Sequence, residues 1–154
     1  MNHSFLNHRN FLPYFTALLF FTIVSFTPPA GDLTNDVLKQ TNQFRKSRGL
    51  PALAMRSDLN GIARKHSEDM ARGRRRFGHS GYGQREAQVQ RLIKPFSAMA
   101  ENVAYGASTA REVVSMWKGS TGHRRNMLGN YKYIGIGTAK DRRGQIYFTQ
   151  IFVR

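Results

Sequence analysis

From Leu33 onward the apolar positions recur at helical spacing. Leu33, Val37 and Phe44, with Leu38 and Thr41 alongside, predict an amphipathic helix that Asp32 or Thr34 can cap. Gly49 is the expected stop, and Pro51 cannot continue the helix. A second helix reads more plainly: after Ser57 and Asp58 as caps, Leu59, Ile62, Ala63, His66 and Met70 fall on one face, and the pattern ends near Gly73. A glycine-rich loop spans residues 78–83, and a short helix is predicted over residues 85–92. Residues 99–104 alternate as a strand does, closed by Gly106, Ser108 and Thr109. Val113, Val114 and Trp117 then form the stripe of a helix, which Gly119 and Gly122 interrupt just before His123. Two β-rich runs, YKYIGIGTAK and GQIYFTQIFV, are joined through Asp141, Arg142 and Arg143 and predict a hairpin. Helices, a strand, another helix and a hairpin make an α+β class with an antiparallel sheet.

The first thirty residues follow different rules. The run FLPYFTALLFFTIVSF, residues 11–26, carries no charge and is shorter than the about 20 residues of a membrane span. Its length fits the apolar stretch of a secretory signal, with small residues following at Thr27 to Ala30. Residues 1–30 are therefore expected to be a signal peptide or N-terminal anchor, with cleavage after Ala30 or near Ser25, and residues 31–154 to be one domain. Export outside the cytosol is the expected localisation: secreted, periplasmic or envelope-associated.

Charge and cysteine content narrow the partners. The 154-residue chain has 24 Lys and Arg against 9 Asp and Glu, a formal charge of +15, and no cysteine. Disulfides, cysteine zinc sites and thiol nucleophiles are excluded, so a packed core must hold the domain together. In the cytosol this charge would suggest nucleic acid. For an exported protein it suggests anionic lipid, cell-wall polymer or polysaccharide, and opposes close self-association at low salt. Arg72, Arg74, Arg75 and Arg76 form the densest basic run and are the candidate polyanion-binding residues.

Three histidines lie beyond the N-terminal segment. His66 sits on the apolar face of its helix and is expected to be a buried, hydrogen-bonded residue. His79 in FGHSG and His123 in STGHRRN are flanked by glycine and hydroxyl residues, as loop histidines opening to solvent would be. Glu101 in MAENVAYG is an acid among apolar neighbours, where an unpaired carboxylate is costly and histidine is a natural partner. No HExxH, GxSxG or phosphate loop is present.

The ordered set HS, ENVAYG, W-x-x-S-x-G-H-R-x-N-M-L, IGIG and Y-F-T-Q-I-F resembles the CAP superfamily, the cysteine-rich secretory, antigen 5 and plant pathogenesis-related class 1 proteins, in its compact bacterial form. The resemblance begins at N-Q-F-R-x-x-x-G-L-P-A-L, residues 42–53, continues through A-x-x-H-S-x-x-M, residues 63–70, and ends near Phe152. It implies an α-β-α sandwich with a small antiparallel sheet flanked by helices, and a surface cleft of two histidines and two acids. By position these are His79, Glu101 and His123. Ala100 replaces the glycine before the first acid, and Ser120 stands where the second acid is usual, as it does in similar bacterial members.

The resemblance leaves three readings of the cleft. The first is a binding module in which His79, Glu101, Ser120 and His123 hold a ligand, either a divalent metal such as zinc on His79 and His123 or a small or lipid-like molecule. Two imidazoles with a carboxylate would match the His₂Glu zinc set. The second is a hydrolase, with Ser80 beside His79 or Ser120 near His123 as nucleophile and base, and Glu101 as orienter. The third is a structural role in which Glu101 bridges both histidines and pins the loops, leaving the basic surface to adhere to polyanions. Tyr105, Trp117, Tyr131, Tyr133, Phe148, Met99 and Met116 are expected in the core rather than in a lipid groove.

Overall fold

The computed structural model describes Met1 and residues 32–154; the expected signal segment lies outside the described residues. Among the described residues, five helices and four strands follow in the order α1 (Leu33–Lys46), β1 (Ala54–Met55), α2 (Ser57–Ala71), α3 (Tyr82–Leu92), β2 (Met99–Tyr105), α4 (Ala110–Gly119), α5 (Thr121–Met127), β3 (Tyr133–Lys140) and β4 (Ile146–Val153). The sheet order is β1-β3-β4-β2. The pairings of β3 with β4 and of β2 with β4 are antiparallel, while the two-residue β1 runs parallel to β3 at the edge. The sheet is thus mixed. The short strand was not expected, since two residues show no alternation.

Period-two alternation divides the strands between two cores, which makes the α-β-α sandwich. On one face Phe148, Phe152, Ile134 and Ile136 pack with Val37 and Phe44 of α1, Val113, Val114 and Trp117 of α4, and Met127 of α5. On the other face Met99, Ile151 and Val153 pack with Leu59 and Ala63 of α2 and Val89 of α3. Each fully buried Leu, Ile, Val, Phe or Met side chain stabilises the fold by about 1.5–3 kcal/mol.

The IGIG run explains how α2 sits on the sheet. Its isoleucines point into the first core, so Gly135 and Gly137 face α2. A Cβ on Gly137 would fall 2.0 Å from the backbone nitrogen of Arg64, and one on Gly135 2.4 Å from the carbonyl carbon of Leu59. Helix and strand backbones therefore touch. Ser67 of α2 uses this approach to donate to the Gly137 carbonyl at 3.0 Å, and its hydroxyl also meets Thr149 Oγ1 at 2.8 Å. Where β1 ends, Asn60 Oδ1 of α2 accepts from the Ile136 amide at 2.8 Å and satisfies the sheet edge.

The N-Q-F-R segment ties α1 to the following loop. Asn42 both accepts from the Leu53 amide and donates to the Leu53 carbonyl, at 2.8 and 3.1 Å. Arg45 is 1% exposed and has no carboxylate partner among the described residues. It donates instead to the carbonyls of Pro51, Met127 and Gly129 at 2.8–2.9 Å. Burial holds its pKa below the usual arginine value.

Helix boundaries shift in ways the hydrogen bonds explain. Asp32 caps α1 by accepting from the Thr34 amide. Ser57 and Asp58 do not cap α2 as expected; they form its first turn, and Asp58 pairs with Arg56 at 2.6 Å. α3 begins at Tyr82, three residues earlier than expected, after Gly81 in the left-handed conformation. Thr109 and Glu112 close a capping box on α4. The glycines before His123 do not leave it in a loop: α4 ends at Gly119, and His123 lies within α5. Among the aromatic and methionine residues expected in the core, Trp117, Phe148 and Met99 are buried. Tyr105 and Met116 are exposed, at 43% and 50%.

Candidate functional site

Glu101 projects from β2, a strand with both neighbours of its side chain buried, and is itself 4% exposed. A buried carboxylate needs several donors, and it has them. Arg85 of α3 grips it in a bidentate pair, Nε to Oε2 at 2.6 Å and Nη2 to Oε1 at 2.7 Å. His79 Nδ1 meets Oε1 at 2.9 Å. Since a carboxylate only accepts, His79 Nδ1 donates to it, and Nε2, the nitrogen not engaged by Glu101, lies on a half-exposed ring. Arg85 also donates to the Ser80 carbonyl at 2.9 Å, so one guanidinium fixes both the acid and the loop that carries the histidine.

His123 approaches from α5. That helix is stitched to β2 by amides: Asn102 donates to the His123 carbonyl at 3.1 Å and to Gln150 Oε1 at 3.3 Å. Asn126 donates to the Glu101 carbonyl at 3.2 Å and to Asn102 Oδ1 at 2.9 Å. Gln150 in turn donates to Thr41 Oγ1 at 2.9 Å, anchoring the network in α1. Partial burial, followed by the nearby His79, lowers the His123 pKa from its ordinary value. Its imidazole is accordingly kept neutral at neutral pH.

These groups share one cavity of about 330 Å³, lined by His79, Glu101, Ser120, His123, Arg125 and Asn126. The lining, completed by Gly122, is mainly polar. His66 stands behind it, 2% exposed, with Nε2 donating to the Gly78 carbonyl at 2.9 Å and 3.8 Å from Glu101 Oε1. Burial first, and then the positive charge of Arg85, push its pKa down, so His66 is neutral and forms no ion pair with Glu101. The expectation of a satisfied buried histidine holds for one nitrogen only, because Nδ1 is buried without a partner.

The family model for cysteine-rich secretory proteins, CAP, matches residues 38–152. The chain belongs to the CAP family. The CAP chain is 34% identical over 120 residues to YkwD of Bacillus subtilis, spanning 76% of this chain and 45% of that one. It is 31% identical over 121 residues to the membrane protein YlbC of the same organism, spanning 77% and 33%. It therefore spans less than half the length of the curated relatives it matches. Among solved structures it is similar to an extracellular SCP-domain protein of Bacillus anthracis, at 28% identity and a TM-score of 0.68 over 79% of this chain and 40% of that one. An outer surface protein of Borrelia burgdorferi shares the fold at 21% identity, with a TM-score of 0.68 over 80% and 95%.

Set within the CAP fold, His79, Glu101, Ser120 and His123 come together around the cleft, although they span more than forty residues of sequence. Glu101 does not bridge the two cleft histidines: its oxygens serve His79 and Arg85. Nor does it stand as a third metal ligand, and no three His, Asp or Glu side chains converge as a metal set among the described residues. Glu101 instead orients His79 from behind, and the two imidazoles of His79 and His123 line the same cavity. Neither Ser80 nor Ser120 hydrogen-bonds a ring nitrogen among the described residues. Ser80 does not line the cavity.

Arg85 is the residue that sequence reasoning missed. On an exposed-looking helix nothing marks it as the partner of an acid sixteen residues away. Asn102, Asn126 and Gln150 lie inside the motif segments, and a count of polar residues at inward strand positions would have flagged Asn102 and Gln150. The arginine run divides: Arg72 and Arg74 line a groove with the β3–β4 turn, whereas Arg75 turns toward α3 and donates to Gln84 Oε1 at 3.0 Å.

A pH dependence follows from His66. Its pKa is lowered on folding from 6.5, so below about 6.5 the unfolded chain takes up a proton that the folded chain refuses. Stability is therefore expected to fall as pH drops through and below that value. Urea unfolding of the wild type between pH 7.5 and 5 (roughly the imidazole range) should show this loss, and His66→Gln should flatten it. An unchanged slope in the variant would rule out His66 as its source.

Proposed function

We propose that this CAP domain is an exported binding module whose cleft holds a divalent metal, such as zinc, or a small polar ligand between His79 and His123. The carrying observation is the hydrogen bond from His79 Nδ1 to Glu101, itself clamped by Arg85, which leaves His79 Nε2 free and oriented. The neutral state of His123 supports the same reading, since imidazole binds metal only when unprotonated. The polar lining favours a metal or small polar ligand over a lipid. Bound there, a divalent ion would supply a Lewis-acidic anchor for an anionic or carbonyl group of the ligand. Export draws support from the extracellular description of the Bacillus anthracis relative.

Calorimetric titration with zinc tests the reading. Binding is expected for the wild type, to be lost on replacing His79 and His123 together by alanine, and to weaken as pH falls through the imidazole range. Equal heats for wild type and double variant would overturn the metal site.

A further inference from the structure

Two basic runs far apart in sequence meet at the end of α2. Arg72 and Arg74, just past the helix, and Lys140, Arg142 and Arg143, at the β3–β4 turn, line a groove of about 770 Å³ with Asp141 as its one acid. Arg74 shares Asp69 with Lys65, at 3.3 and 2.6 Å. Arg72, Lys140, Arg142 and Arg143 pair with no carboxylate among the described residues. Asp141 is occupied by the turn: its Oδ1 accepts from the amides of Arg143 and Gln145 at 2.8 and 2.9 Å. The macrodipole accounts for a cation at Arg72, but not for three more brought against it from another segment. Uncompensated like charges repel, and an anion held between them would relieve that repulsion.

The groove is concave, so its cations suit a chain lying within it better than the plane of a bilayer. A strip of aromatic rings lies at the same end of the sheet as the β3–β4 turn, outside the lining of the groove. Phe77, directly after the arginine run and 49% exposed, meets Tyr105 edge-on at 4.7 Å, and Tyr105 stacks on Tyr147 at 5.5 Å. Tyr147 pairs in register with Ala139, one position from the turn, with its side chain on the α2 face of the sheet. Such rings give a sugar an apolar face to stack on, while guanidinium forks suit phosphate or carboxylate oxygens.

The structure assigns this groove as a binding site for a linear anionic glycan, a chain of sugars or polyols bearing phosphate or carboxylate groups. The preference for a glycan over nucleic acid rests on the export proposed above. The groove shares no residue with the His79–His123 cleft, so its failure and the cleft's are separately visible.

The test measures binding of the full chain to poly(glycerol phosphate) and to polygalacturonate, which distinguish phosphate from carboxylate, at low and high salt. Arg142→Gln with Arg143→Gln removes one wall, Arg72→Gln the other, and Lys39→Gln with Lys46→Gln removes equal charge from exposed positions on α1. Each wall variant is expected to weaken binding about tenfold, as loss of charge-assisted hydrogen bonds implies. The α1 pair should change it by less than about twofold. Should the turn variant fold poorly, Arg72→Gln carries the comparison alone. The assignment is overturned if neither polymer binds or if the α1 pair loses as much as the groove pair. Equal or tighter binding to a DNA oligonucleotide, or to vesicles of equal parts phosphatidylglycerol and phosphatidylcholine, would overturn the glycan class.

Discussion

Replacing Glu101 by alanine is expected to destabilise the protein by about 3–5 kcal/mol, the cost of leaving a buried charge without its partner. The stranded group is Arg85, 7% exposed, whose two shortest hydrogen bonds both go to Glu101. Urea unfolding reads the loss as a lower midpoint at unchanged slope. Glu101→Gln should fall between the two, since it keeps the shape and some acceptors but gives up the counter-charge. A double variant, Arg85→Met with Glu101→Leu, removes both charges and should recover much of the stability, because an apolar pair avoids the desolvation that the ion pair has to offset. A loss below about 1 kcal/mol for Glu101→Ala would mean that Arg85 reaches solvent easily and that the clamp is not a buried one.

That double variant also separates folding from binding. It would restore the protein while leaving His79 Nδ1 without its acceptor, so the ring could rotate and either nitrogen could carry the proton. Zinc binding should then weaken in a protein of near-native stability. If binding and stability instead rose and fell together across the whole series, Glu101 would be acting only through the fold.

The sequence carried the architecture where burial follows a period and lost it where contacts are irregular. The stripes of Val37 and Phe44, of Leu59 and Ala63, and of Val113 and Trp117 were readable because each faces one side of a sheet. β1 was not, since two residues, Ala54 and Met55, owe their strand state to β3 rather than to their own pattern. His123 shows the opposite error: glycines at 119 and 122 read as a break, yet the chain only turns at Ser120 and re-enters a helix whose position is set by Asn102 and Asn126. At the site, the isolation of Glu101 among apolar residues predicted a partner correctly in kind. It could not identify Arg85, because the pairing depends on where the fold sets α3 relative to β2. The meeting of Arg72 and Arg74 with Arg142 and Arg143 is likewise a product of topology: the end of α2 and the hairpin turn share one end of the sheet.

The close contact of α2 with β3 gives the other large expected effect. Gly137→Ala should cost about 3 kcal/mol or more, at the upper end of overpacking, because the methyl group would meet backbone instead of a side chain that can swing away. It would lie 2.0 Å from the nitrogen of Arg64 and 2.3 Å from the carbonyl carbon of Ala63, so the helix must lift or the strand must bend. Lifting α2 would also draw Ser67 from the Gly137 carbonyl and move His66 away from Gly78, carrying the disturbance toward the loop of His79. Gly61, in the same helix, has nothing within 4 Å of where its Cβ would be. Gly61→Ala should therefore stabilise the helix by up to about 1 kcal/mol through propensity alone. Thermal or urea unfolding of the two variants side by side decides whether backbone contact or glycine content is at issue. Equal and small effects would mean that α2 rides on the sheet with slack; opposite signs are expected, since only one of the two glycines lies under another chain segment.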